Sequence, residues 1–289
     1  MRATIYILRC TWALSLFVVH VSVCTVVAGE RAAATLSVKD SLTSPNQSAT
    51  IEARLVDKGL LGSAGLGGEL LELVLDGNVV ATAMTGGDGK AFLTFTPHAQ
   101  GVVPVQIRAR SSSRIPPTEG QANLVVWERR NPIVVIEMAA VIEEPSSPSP
   151  LPAIGLKRTS EPKPMPDAAN ELGKLTQFYY RVVYIVALPE GADGFHMSTQ
   201  AREWLKIHKF PTGYVLVLPP GENMLGTKID ELHAAGWKTI KTGIGRTKAF
   251  ADAFLQRRLE AVIVPEPVKG EVPRKAKVAK EWKEIRKKL

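Results

Sequence analysis

Gly243-Ile244-Gly245-Arg246-Thr247-Lys248 puts a glycine turn, two cations and a hydroxyl where a helix should begin. Backbone N–H groups at a helix N-terminus attract anions, and Arg246 and Lys248 would reinforce the attraction. Gly243, Gly245, Arg246 and Thr247 therefore form a candidate anion-binding site. The Gly-x4-Gly-Lys-Ser/Thr spacing of a nucleotide-binding loop is missing, and a plain strand-to-helix turn would read the same way. The histidines offer less. His196, His208 and His233 do not share metal-ligand spacing, and His98 stands alone in a turn. Asp76 and Asp88 each stand at an Asp-Gly step, which is turn chemistry rather than a calcium ligand set. The two cysteines, Cys10 and Cys24, fall in an N-terminal apolar stretch. A chain that loses this stretch has no thiolate nucleophile, no disulfide and no cysteine metal site, so no metal site is expected.

That stretch reads as a signal peptide over residues 1–29. Arg2 and Arg9 precede the apolar run Thr11–Val27, and Val27-Ala28-Gly29 offers a cleavage site. The run is longer than the usual h-region of about 7–15 residues, so an uncleaved membrane anchor competes with export into the periplasm or medium. The net charge of +8 is concentrated at the two ends. Residues 269–289 alone hold nine Lys/Arg against Glu271, Glu281 and Glu284, and residues 30–268 are neutral. Nothing in a neutral body argues for a nucleic-acid-binding surface there, so no nucleic-acid partner is expected. In the tail, Val278, Trp282, Ile285 and Leu289 recur at helical spacing among Lys275, Lys280, Lys283, Arg286, Lys287 and Lys288. This predicts a basic helix that either contacts an anionic membrane or cell-wall polymer, or packs on its own domain.

Two kinds of element must position these residues. From residue 30 to 130 short apolar runs alternate with turns: Ala34–Val38, Ala49–Val56, Leu71–Leu75, Val79–Ala83, Ala91–Phe95, Val103–Arg110 and Ala122–Trp127. Asp76-Gly77-Asn78 and Gly86-Gly87-Asp88-Gly89 predict tight turns, because Asp-Gly and glycine tolerate positive φ. About seven short strands in roughly 100 residues predict an all-β immunoglobulin-like sandwich. Gly59–Gly68 reads as a mobile glycine-rich loop with Leu60, Leu61 and Leu66 as a contact site. From residue 131 to 268 strands alternate with helices, which predicts an α/β domain around a parallel sheet. Its strands are Pro132–Ile136, Arg181–Val186, Tyr214–Leu218, Thr239–Thr242 and Ala261–Val264; its helices are Thr199–Lys209, Lys228–Ala235 and Thr247–Arg257. The Pro-rich stretch 143–166 is an exposed insertion after the first strand, since proline supports neither helix interiors nor central strands.

Within the first domain, Leu75-Asp76-Gly77, Thr85–Ala91 and Phe95-Thr96-Pro97 before Gly101 resemble bacterial Ig-like repeats of the invasin type. The resemblance implies a spacer, adhesive or docking module in the bacterial envelope, with an unknown extracellular partner. In the second domain, Asn131–Ile136, Tyr184-Ile185-Val186, His208–Gly213 and Gly243–Thr247 with Asp252-Ala253-Phe254-Leu255 resemble the haloacid dehalogenase (HAD) superfamily, nearest its phosphatidate phosphatase-like branch. The resemblance implies an aspartate nucleophile and a second aspartate after the first strand, a hydroxyl after the second, a lysine, and acids after the fourth for magnesium. Glu137 stands at the first position, one methylene too long; a displacement of about an ångström can cost ~10²-fold in rate. Ala139 stands where the general acid belongs, and Ala187 where the hydroxyl belongs. Lys228 is the candidate lysine, Arg246 stands near the metal acids, and Asp252 lies too far along its helix. A shifted frame would instead use Glu143 and Glu144. The expectation is a catalytically silent domain without a cofactor; the alternative is a magnesium-dependent phosphomonoester phosphatase.

Overall fold

Strict alternation in Ala49-Thr50-Ile51-Glu52-Ala53-Arg54-Leu55 buries every second side chain, and this is the pattern of a strand with one wet face. A computed structural model describes residues 33–59, 62–143, 162–267 and 272–289. The expectations on residues 1–29, Leu60, Leu61 and Glu144 lie outside them, as does most of the Pro-rich insertion. Nine strands form the first domain: Ala34–Val38 (β1), Ser41–Thr43 (β2), Ala49–Gly59 (β3), Gly62–Gly65 (β4), Leu70–Leu75 (β5), Asn78–Met84 (β6), Lys90–Phe95 (β7), Gly101–Ala109 (β8) and Thr118–Val126 (β9). One sheet joins β1 to β3, with β4 and β7 along the other side of β3; the second runs β2-β9-β8-β5-β6. The first strand is split between them: β1 lies antiparallel to β3, and β2 lies parallel to β9. Leu36, Ile51, Leu55, Leu73, Leu93 and Ile107 interdigitate between the layers. This is an immunoglobulin-like sandwich.

The turns partly follow expectation. Asp76 (φ 48°) and Gly77 (φ 81°) give two consecutive left-handed residues, the geometry of a tight β5–β6 hairpin. The second turn is not a hairpin. Gly86–Gly89 closes with Gly89 N–H donating to Gly86 O at 2.8 Å, but it carries the chain from β6 in one sheet to β7 in the other. Gly89 is confined to glycine on two counts: φ is +77°, and a Cβ would lie 2.1 Å from Leu55 O. The expected glycine-rich loop is also corrected. Residues 62–65 pair with β3, Gly59 opposite Gly62, and Leu66 packs on the sandwich core.

The second domain contains Ile133–Glu137 (β10), Met138–Val141 (α1), Ala168–Phe178 (α2), Arg181–Ala187 (β11), Gly194–Ile207 (α3), Tyr214–Leu218 (β12), Met224–Ala234 (α4), Ile240–Gly245 (β13), Lys248–Leu255 (α5), Glu260–Ile263 (β14), Lys277–Val278 (β15) and Ile285–Lys288 (α6). Among the described residues its six strands are all parallel, in the order β12-β11-β10-β13-β14-β15. The unbroken apolar runs in β10 and β11 follow from burial on both faces. Helix α2 was not expected. Its Ala168, Leu172 and Leu175 recur at i, i+4 and i+7 and are buried, a signal masked by the proline run that precedes it. The ends of the proline insertion are clasped: Glu143 N–H donates to Lys163 O, and Met165 N–H to Val141 O, both at 2.8 Å.

The tail corrects both the domain boundary and the single-helix expectation. Residues 277–278 add the sixth strand, a short 3-10 helix covers Trp282–Glu284, and α6 follows. Trp282 is 1% exposed and its indole N–H donates to Ala140 O at 3.0 Å. Ile285 is fully buried. Trp282 and Ile285 of the apolar stripe thus plug the α/β core, with Leu289 packed against it, and the tail belongs to this domain. Burying a tryptophan and satisfying its N–H outweighs continuing one regular helix. Arg286 and Lys283 bridge to Glu171 (2.8 Å) and Asp167 (3.1 Å) around α2. Among the described residues, no helix is long and apolar enough to cross a membrane.

The two domains share a core. Val125 and Trp127, at the end of the sandwich, belong to the same apolar cluster as Val135, Ile185 and Leu216 of the parallel sheet.

Candidate functional site

The strand order reverses at β10. From β10 the chain builds outward through β11 and β12, then crosses back to place β13 on the other side. In open parallel sheets the crevice at such a reversal, beyond the C-terminal strand ends, is where ligands bind. Glu137 ends β10 and Gly245 ends β13, so both flank it. Glu137, Gly245, Arg246 and Thr247 are brought together there, as parts of one arrangement rather than two sites.

The Glu137 carboxylate lies on the N-terminus of α5. Its Oε2 accepts from Arg246 N–H (2.6 Å) and Thr247 N–H (2.9 Å), and its Oε1 accepts from the Thr247 hydroxyl (2.6 Å). Thr247 Oγ1 in turn caps the helix by accepting from Phe250 N–H at 3.2 Å. The donors that would hold an incoming anion therefore hold a carboxylate of the chain itself. This corrects the expected anion site: its geometry is present and its occupant is Glu137. The Arg246 guanidinium reaches the other way, donating to Ile142 O at 2.8 Å just past α1.

The two glycines serve packing. A Cβ on Gly243 would meet the Phe254 ring at 2.7 Å, and one on Gly245 the Phe250 ring at 2.2 Å. The missing side chains let both phenylalanines of α5 pack closely on β13. The resulting close approach of α5 brings Thr247 within reach of Glu137.

The other positions that the resemblance singles out stand apart from Glu137 or carry no polar side chain. Ala139 sits in α1, Ala140 is fully buried with its carbonyl taken by Trp282, and Ala187 is exposed at the end of β11. Lys228 is not with Glu137. It lies on α4, paired with Glu231 at 2.7 Å, and lines a cleft beside β12 together with Lys39 and Tyr214. Glu143 enters the clasp of the insertion through its backbone. Magnesium does not fit the residues present. It needs several oxygen ligands, while Glu137 already faces two amides and a hydroxyl that donate to it. Among the described residues, no group of three His, Cys, Asp or Glu could hold a metal ion.

Three of the histidines have local contacts. His98 contacts Asn46 Oδ1 at 2.8 Å, His233 Nε2 contacts Ile240 O at 2.9 Å, and His208 packs on Trp204 with ring centroids 4.5 Å apart. Asp88 accepts from Lys90 N–H at 3.1 Å, which is turn chemistry as expected.

A second polar centre, at the domain junction, was not foreseen. Asp40, between β1 and β2, is buried. Its Oδ1 accepts from Arg202 of α3 (2.8 Å) and Asn123 N–H of β9 (2.9 Å), and its Oδ2 from Val215 N–H of β12 (3.1 Å). Arg202 also donates to the carbonyls of Val38 and Gln121. Burial pushes the Asp40 carboxyl above the ordinary carboxylate range, against the pull of Arg202 and the two amides. A buried charge is tolerated only when paired and hydrogen-bonded in this way.

No family model matches the sequence, and no curated protein matches it. Among the solved structures that overlap parts of the chain are three with immunoglobulin or surface-layer domains. The N-terminal Ig1-2 module of the Drosophila receptor protein tyrosine phosphatase DLAR is 13% identical, covering 37% of this chain and 61% of that one at a TM-score of 0.25. Titin domains z1z2 in complex with telethonin are 17% identical, covering 37% and 58%, also at 0.25. Domains 4 and 5 of the S-layer protein SbsC are 18% identical, covering 32% and 51%, at 0.22. This chain thus spans between half and about three fifths of each of these structures. The assignment of the sandwich rests on its own strand pairing.

Proposed function

We propose that the chain is an exported, non-catalytic binding or structural protein, in which an immunoglobulin-like module is joined to a HAD-like module that has lost its chemistry. The observation that carries this reading is the engagement of Glu137. A nucleophilic carboxylate must be free to approach phosphorus along one line. Here two N–H groups and a hydroxyl hold it against the start of α5, where they would otherwise hold a phosphoryl group. Ala139 adds no proton donor, and Arg246 repels a divalent cation. The rival reading, a magnesium-dependent phosphatase of the phosphatidate phosphatase-like kind, draws on the position of Glu137 at the strand-order reversal. Hydrolysis of p-nitrophenyl phosphate with and without magnesium separates the two. The expected result is no turnover above that of Glu137→Ala. Turnover that Glu137→Ala abolishes would overturn the proposal.

Export is proposed from the signal-like residues 1–29, and an envelope partner from the module type. The exposed Lys275, Lys280 and Lys287 offer such a partner only salt-sensitive contact, because the apolar stripe between them is buried.

A further inference from the structure

The sandwich covers only part of the outer edge of β12. Beside it lies a cleft of about 410 Å³, walled by the sandwich on one side and α4 on the other. Asp40 takes the Val215 N–H. Strand alternation puts Val217 on the same outer edge; Leu218, facing inward, accepts from Leu188 N–H at 3.0 Å. The Val217 N–H and C=O therefore point away from β11, and they have no partner among the described residues. An open strand edge is a template for an added strand. The walls carry charges of both signs: Lys39 with Glu52 at 2.8 Å on the sandwich, and Lys228 with Glu231 at 2.7 Å on α4. Tyr214 also lines the cleft, and burial, with Asp40 and Glu52 nearby, pushes its phenol above the ordinary value.

We propose that this cleft binds an extended peptide segment, which pairs with Val217 as an added strand and carries one charge of each sign. The backbone edge selects a peptide over other ligands, because a strand supplies the matching C=O and N–H. The ion-paired walls select a mixed-charge side-chain pattern over a polyanion. Three residues of strand span roughly 10 Å, the scale of a pocket this size. The inference goes beyond the functional reading above and does not depend on whether Glu137 turns over a substrate.

The test titrates the peptide acetyl-Thr-Lys-Val-Glu-Thr-amide into the isotope-labelled full chain and follows backbone amides by NMR. The control replaces the central valine with proline, which cannot donate to the edge. Saturable shifts at Val217 and Tyr214 are expected, with at least about tenfold weaker binding of the control. Thr227→Arg fills the cleft mouth from the exposed face of α4 and should weaken binding by a similar factor with melting unchanged. No saturable shift, equal binding of both peptides, shifts at other sites, or indifference to Thr227→Arg would each overturn the proposal.

Discussion

Thr247 holds Glu137 twice, through its N–H at 2.9 Å and its hydroxyl at 2.6 Å, while the same hydroxyl caps α5. Charge-assisted bonds of this kind contribute about 1.5–3 kcal/mol each, and a Thr cap about 1 kcal/mol. Glu137→Ala is therefore expected to destabilise the chain by roughly 1–3 kcal/mol. Thr247→Ala should do the same, and the double variant should lose less than the sum. Urea denaturation of the three variants checks this; strict additivity would mean that the bonds contribute nothing.

Asp40 and Arg202 are 162 residues apart in the chain and lock the junction. Removing one partner of a buried pair leaves the other charge stranded, at about 3–5 kcal/mol. Asp40→Ala and Arg202→Met are each expected to lose about that much, and the double variant far less than twice it. Chemical denaturation with intrinsic tryptophan fluorescence reports the outcome.

Glu171 sets an acid limit. Lys174, against the cost of burial and with help from Arg286, holds its carboxyl below the ordinary value of 4.5. A folded-state value below the unfolded one contributes stability that is complete above the unfolded value and fades as pH falls through the folded one. Stability should therefore drop as acidification carries the pH below 4.5 and on through the folded-state value, and Glu171→Gln should flatten that part of the profile. Equal slopes for the two proteins would show the pair to be inert.

Trp282 plugs the core of the α/β domain from a segment that looks like a surface helix. Trp282→Ala is expected to cost about 3–5 kcal/mol, whereas the exposed Lys287→Ala, further along the same tail, should stay within about 0.5 kcal/mol. Thermal unfolding of both variants separates a core tail from a peripheral one.

What could be read in advance follows from the range of each interaction. Tyr214–Leu218 is bounded as expected, because an apolar run between Gly213 and Pro219-Pro220 has nowhere else to start or stop. The cap at Thr247 and the Asp76-Gly77 hairpin are equally local. The tail reads as one helix because Val278, Trp282, Ile285 and Leu289 have helical spacing whether or not a helix forms; only the core shows that Trp282 is wanted inside it. Glu137 and Thr247 were each singled out, but as two sites, since no local pattern records that 110 positions of chain close on themselves. Asp40 and Arg202 carried no signal at all, for a lone Asp and a lone Arg are ordinary surface residues until three elements converge on them.

Only six residues, Trp127 to Pro132, separate the sandwich from the parallel sheet, and Trp127 is itself buried between them. The two halves are thus poor candidates for shuffling. Transplanting either one alone would expose Trp127 and strip Val215 of its acceptor, so lineages that recombine one half must carry its counterpart along or rebuild the seam.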